Sequence, residues 1–136
     1  MMITSISINS KKMQTTPISG SNSKGYYTVW PDGSCEQYGE ITAPTLTRLA
    51  GTRVNAYFPL EMANTNYVCK HISQRYDTGD TGYIRQTWFV KYTTYVGIDI
   101  YNANQFYSKD GAAGSIFQWS IFGKVKESVR KELFGE

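Results

Sequence analysis

Apolar and polar side chains alternate along much of this chain with a period of two, the spacing of a half-buried β-strand. Residues 94 to 101 show it most cleanly. Val96, Ile98 and Ile100 share one face there, and Tyr95, Gly97, Asp99 and Tyr101 share the other, which predicts a strand with one polar face turned to water or a partner. Residues 52 to 59 place Val54, Ala56 and Phe58 together, and Pro59, with no amide hydrogen to give a ladder, ends that strand. Asn64-Thr65-Asn66 turns the chain. Residues 67 to 73 then set Tyr67, Cys69 and His71 against Val68, Lys70 and Ile72, and residues 83 to 92 set Ile84, Trp88 and Val90 against Arg85, Thr87 and Lys91. Two short apolar runs flank Pro31-Asp32-Gly33 and predict a β-hairpin, because proline presets one turn torsion and Asp-Gly tolerates the positive φ of the reversal.

The pattern changes at both ends. Residues 1 to 24 are rich in Ser and Thr, carry Lys11, Lys12 and Lys24 without an acidic residue, and offer only Ile3, Ile6 and Ile8 as an apolar signal. So little apolar surface cannot offset the entropy of ordering the segment alone, which predicts a flexible arm, either a leader or a segment that orders on a neighbour. Beyond Gly123, the residues Val125, Val129 and Leu133 recur at helical spacing among charges and predict a short amphipathic helix, too short to be stable without a surface to cover it. Between them, residues 40 to 51 read as a connection with room for one helical turn near Leu46 to Leu49. Several short strands separated by turn signals predict an all-β fold, an antiparallel β-sandwich. The expected organisation is an arm over 1–24, a sandwich over 25–123 and a helix over 124–136.

Composition sharpens this picture. Of 136 residues, 15% are aromatic and eleven are Tyr, a bias toward strand formers. The formal charge of +3 is spread thinly along the chain and not gathered in the stripe that tracks phosphates, so nucleic acid is not an expected partner. No apolar run is long enough to cross a bilayer, and the first residues lack the features of a secretory signal, so the expectation is an unexported chain without membrane contact. Cys35 and Cys69 then read as core thiols, with a single disulfide as the alternative.

Candidate chemistry is sparse. Asp77-Thr78-Gly79-Asp80-Thr81-Gly82 repeats the aspartic-protease triplet, but Gln74-Arg75-Tyr76 precedes it where buried apolar strand residues are needed, so it reads as a turn. The same two carboxylates match no calcium loop, having neither its spacing nor its late Glu. Cys69 and His71 share a strand face, yet the chain holds one His and two Cys, and a zinc site wants four ligands. No third group orients a Cys–His pair for nucleophilic attack, and no Gly-rich loop cradles phosphate. The expectation is no catalytic residue, no metal and no cofactor. Residues 101 to 111 are the better candidate: Tyr101, Asn102, Asn104 and Tyr107 combine broad aromatic faces with amides, the groups that hold sugar hydroxyls and protein epitopes.

The two ends of the predicted sandwich carry a pattern. Gly25-Tyr26 opens it, Asp32-Gly33 turns it, Gln37-Tyr38-Gly39 completes the hairpin, and Phe117-Gln118-Trp119-Ser120-Ile121-Phe122-Gly123 closes it some eighty residues later. This order resembles the small C-terminal β-sandwich domain of many tailed-bacteriophage tail fibres, which opens on Gly-aromatic, turns at Asn/Asp-Gly, continues with Gln-aromatic-Gly and closes on aromatic-Trp-x-x-x-Gly. The resemblance implies a virion structural protein, a homotrimer, and loops at one end that contact a host-surface glycan or protein. It also implies attachment to other virion proteins, through the arm or the helix. The helical extension departs from the family, whose members commonly stop after the last aromatic strand. Two other classes stay open: a capsid-mounted head fibre or decoration protein, and a free carbohydrate-binding module.

Overall fold

In the computed structural model, residues 5–8, 11–42, 51–75, 84–102 and 116–136 are described. The fold is all-β with one C-terminal helix. Strands β1 (Ser5–Ile8) and β2 (Lys11–Gln14) form their own two-stranded ladder. A five-stranded sheet has β3 (Ile18–Asn22), β4 (Gly25–Val29), β5 (Ser34–Thr42), β10 (Ile116–Lys124) and β7 (Val68–Arg75) in that order. A three-stranded sheet has β6 (Gly51–Tyr57), β9 (Tyr95–Asn102) and β8 (Ile84–Lys91). Every pairing is antiparallel.

The hairpin forms where the sequence places it. Pro31 to Gly33 reverse the chain between β4 and β5, Gly33 N donates to Trp30 O at 2.9 Å, and the Asp32 carboxylate accepts from Ser34 N at 2.9 Å. The Gly25 φ of +149° opens β4, and a Cβ there would strike the Tyr38 carbonyl oxygen on the neighbouring strand, so glycine alone fits. The five-stranded sheet begins before Gly25. The segment read as an arm contributes β3, whose ladder with β4 runs from Ile18–Val29 to Asn22–Gly25 and is reinforced by a 2.8 Å hydrogen bond between the Ser19 and Thr28 hydroxyls. A paired partner strand supplies the backbone bonds that the isolated segment lacks.

The inner faces meet as alternation requires. Val29, Cys35, Tyr67, Trp119 and Ile121 of one sheet pack against Val54, Ala56, Val96 and Ile98 of the other, with Phe58 between them. Phe58 lies edge-on to Tyr67 at 5.3 Å and tilted against Trp119 at 5.6 Å. Gln37, fully buried, is the polar member of this layer. Its Nε2 donates to Leu60 O at 3.0 Å and its Oε1 accepts from Leu60 N at 2.8 Å, which ties the segment after β6 to the sheet.

One face assignment changes. The register of β8 on β9 shifts between Gln86 and Trp88, so one extra residue sits opposite the ladder and reverses the alternation after it. Phe89 therefore packs against the core in place of Val90, and the Lys91 amine turns in to donate to Tyr67 O at 2.7 Å, 5.4 Å from the centre of the Tyr67 ring. Trp-Phe-Val is apolar at all three positions and does not reveal the switch.

Helix α1 (Glu127–Phe134) finds its surface on its own sandwich: Val129, Leu133 and Phe134 pack against the core. Val125 N donates to Gly33 O at 3.0 Å and Lys126 N to Glu61 O at 2.9 Å, which seats the helix over the hairpin turn. Arg130 locks it there, donating to Pro31 O at 3.3 Å, to Glu136 Oε2 at 2.6 Å and to both Glu127 oxygens. Its guanidinium holds the Glu127 and Glu136 carboxyls below the usual carboxylate range. Because the folded pKa values are depressed, the stabilisation exists at neutral pH and is lost as pH falls through the carboxylate range near about 4. The expected result is a melting temperature that falls on acidification. Arg130→Met lowers the melting temperature at pH 7, and the gap to wild type narrows as pH falls through and below the carboxylate range, leaving the part owed to the Pro31 O hydrogen bond. Thermal melts at pH 7 and at about pH 3 check this.

The sandwich thus has unlike ends. One is tied by the hairpin turn, the helix and the 92–94 turn, where Phe58 N donates to Thr94 O and Met62 N to Thr93 O. At the other, β5, β7 and β9 finish and β6, β8 and β10 begin, with Ile116 opposite both Thr42 and Arg75 and Tyr101 opposite both Gly51 and Arg85.

Candidate functional site

A surface groove arises from the strict alternation along β5. Cys35, Gln37 and Gly39 point inward and are buried, so Glu36, Tyr38 and Glu40 point outward and are exposed. Tyr38 stands directly opposite Tyr26 of β4, and the two rings stack with centroids 5.1 Å apart and planes 15° apart. Both stay open to solvent, Tyr26 at 54% and Tyr38 at 45% exposure. On the other side of β5, β10 supplies Ser120 opposite Tyr38 and Gln118 opposite Glu40, and Gln118 Nε2 donates to Glu40 Oε1 at 3.1 Å. These side chains line an open groove of about 600 Å³. It lies on the outer sheet face, toward the end where β5 finishes and β10 begins.

Beneath the groove the backbone is fixed by packing. A Cβ at Gly39 would come within 2.8 Å of Trp119 Cζ2, so the indole lies flat under β5 only because that position has no side chain. Tyr38 therefore stands on a rigid strand while its own ring remains exposed. Chemically the groove offers aromatic faces, two carboxylates that accept hydrogen bonds, and no Lys or Arg among its lining residues.

A second aromatic strip lies on the outer face of the other sheet. Tyr95 stacks on Tyr92 at 4.4 Å and tilts against its cross-strand partner Tyr57 at 5.1 Å. Nearby, Arg53 Nε donates to Asp99 Oδ1 at 2.6 Å across the β6–β9 ladder, which holds the Asp99 carboxyl below its usual value and covers Gly97 with the Arg53 stem.

The sequence candidates fall out as follows. Tyr101 and Asn102 close β9, Tyr101 opposite Gly51 and Asn102 opposite Ile84, at the end of the sandwich where β6 and β8 begin. Asn104 and Tyr107 lie outside the described residues, as do the Asp77 to Gly82 turn and the expected helical turn near Leu46 to Leu49. Cys35 and Cys69 are free thiols. They sit on β5 and β7, the two strands that flank β10, and two strand spacings of about 4.8 Å exceed the reach of a disulfide. Burial pushes each thiol up to about 11, so neither carries appreciable thiolate at neutral pH. His71 pairs with Trp119 in the β7–β10 ladder. Among the described residues no three His, Cys, Asp or Glu side chains converge as metal ligands.

Tyr26, Glu36, Tyr38, Glu40 and Gln118 are absent from the sequence candidates. The available signal was the odd spacing of Cys35 and Tyr38, which cannot both face inward on one strand. Comparison with known proteins adds no kinship: no family model matches the chain, and no curated protein or solved structure resembles it significantly.

Proposed function

We propose that this chain is a virion structural protein of tail-fibre type that binds a host-surface receptor, a glycan, as a homotrimer. The observation that carries the reading is that residues shared with the tail-fibre pattern pack against one another and against the core. Gly25 makes room for the Tyr38 carbonyl, Gln37 latches Leu60, Gly39 lies under Trp119, and Gly123 leaves space for Tyr67. Two pairs within the pattern, Gly25 with Tyr38 and Gly39 with Trp119, thus pack against each other, which supports the reading. The exposed aromatic faces and the packed sheet beneath them suit adhesion.

A capsid-mounted head fibre or decoration protein is the second reading, favoured by the separate β1–β2 ladder, which offers an element for docking on a shell. Antibody labelling of intact particles released by cells that carry this gene tests both. Label at tail tips is the expected result, label over the capsid favours the second reading, and unlabelled particles contradict each.

A further inference from the structure

We propose that the groove between Tyr26, Tyr38 and Gln118 is a saccharide site that accepts uncharged pyranose rings and rejects acidic ones. The proposal rests on the adhesion reading and names the surface through which adhesion acts, the outer face of the five-stranded sheet. Three observations carry it. First, stacked Tyr26 and Tyr38 present preordered aromatic surface, and a pyranose ring packs its C–H face on such a surface without desolvating its hydroxyls. The stack is formed before any ligand arrives, so little rotamer entropy remains to be lost on binding.

Second, the polar groups are of the kind that grips hydroxyls. Carboxylates are acceptors only, with two oxygens that can each take a sugar O–H. Glu40 is oriented by Gln118, while Glu36 makes no hydrogen bond or ion pair among the described residues and points out over the same strand. Third, the charge is one-sided. Two carboxylates and no Lys or Arg line the groove, so a sialic acid, a sulfate or a phosphate on the ligand would meet like charge from the lining side chains, while Lys70 stands outside the lining, opposite Ser120 on β7. The volume of about 600 Å³ lies within the range of small-ligand pockets. An open groove of this sort binds a single sugar weakly. Three copies on one particle fibre would raise the apparent affinity without new contacts.

The test is a glycan array of neutral and acidic oligosaccharides probed with the labelled full chain, followed by titration of the neutral hit in solution. Lactose against sialyllactose serves as the matched charge pair. Neutral oligosaccharides bind and sialyllactose does not. Tyr38→Ala weakens the neutral hit about tenfold, Tyr38→Phe, which keeps the stack, retains it, and Tyr57→Ala on the other sheet leaves it unchanged. Glu36→Gln weakens the neutral sugar and admits the acidic one. The proposal is overturned if no neutral saccharide binds, if Tyr38→Ala binds as wild type, if Tyr107→Ala abolishes binding while Tyr38→Ala does not, or if Tyr38→Ala lowers the native mass, which would make this face a subunit interface. Particle labelling without saccharide binding sinks the site and leaves the virion reading standing, whereas saccharide binding by a chain absent from particles does the reverse.

Discussion

Trp119→Ala is expected to cost about 3–5 kcal/mol, the range for truncating a large buried aromatic side chain. Trp119 is 2% exposed, lies across Gly39 and tilts against Phe58, so its loss opens a cavity between the two sheets at the strand that joins β5 to β7. Gly39 cannot fill that space, and neighbouring strands held in antiparallel ladders on both sides of β10 cannot collapse into it. Against a total stability of about 5–15 kcal/mol for a domain of this kind, the loss is large enough to bring the chain near its unfolding threshold. Urea unfolding followed by far-ultraviolet circular dichroism measures it: the midpoint drops sharply while the slope stays constant. Trp119→Phe, which refills part of the volume, loses less. A midpoint unchanged by Trp119→Ala would mean that the indole does not close the sandwich.

Gln37→Leu is expected to be nearly as damaging, although it replaces a polar core residue by an apolar one of similar size. The Gln37 amide satisfies both Leu60 N–H and Leu60 C=O, and a leucine leaves both half-buried groups without these partners. Each orphaned group costs about 1–3 kcal/mol, so the pair amounts to roughly 2–6 kcal/mol. Gln37→Glu discriminates the hydrogen-bond account from simple packing. At neutral pH a carboxylate can still accept from Leu60 N–H but repels Leu60 C=O and carries a buried charge. Burial raises the folded pKa of such a carboxyl, so its destabilisation is relieved as pH falls and the acid gains a proton to donate. The gap between Gln37→Glu and wild type therefore narrows from pH 7 to about pH 5. A gap that is constant with pH, together with a near-neutral Gln37→Leu, would contradict the latch.

The strands were legible wherever alternation was clean. Val54, Ala56 and Phe58 are buried together, as are Val96 and Ile98, and the Pro31-Asp32-Gly33 hairpin and the C-terminal helix stand where their patterns place them. Alternation failed in the run Trp88-Phe89-Val90, because a bulge reverses the faces there and three consecutive apolar residues hide it. It was also silent on β3. Ile18-Ser19-Gly20-Ser21-Asn22 has too little apolar surface to announce a strand, and only its ladder to β4 makes it one.

The candidate groove was hidden for a related reason. In Cys35-Glu36-Gln37-Tyr38-Gly39-Glu40, hydrophobicity argues for burying Tyr38 and exposing Gln37, and the structure does the opposite. The decision is made by partners far along the chain: Trp119 needs Gly39 beneath it, and Leu60 needs the Gln37 amide, which together fix the register and turn Tyr38 outward. A polar residue buried for its hydrogen bonds and an aromatic one left exposed are the two departures from the ordinary pattern on this strand.

The account as a whole is tested most directly by the native mass of the full chain in dilute solution, by light scattering coupled to size exclusion. The 15.4 kDa polypeptide is predicted to run at three times that mass, as a trimeric adhesion module should. A stable 15.4 kDa monomer across the accessible concentration range would contradict both the fibre and the decoration readings.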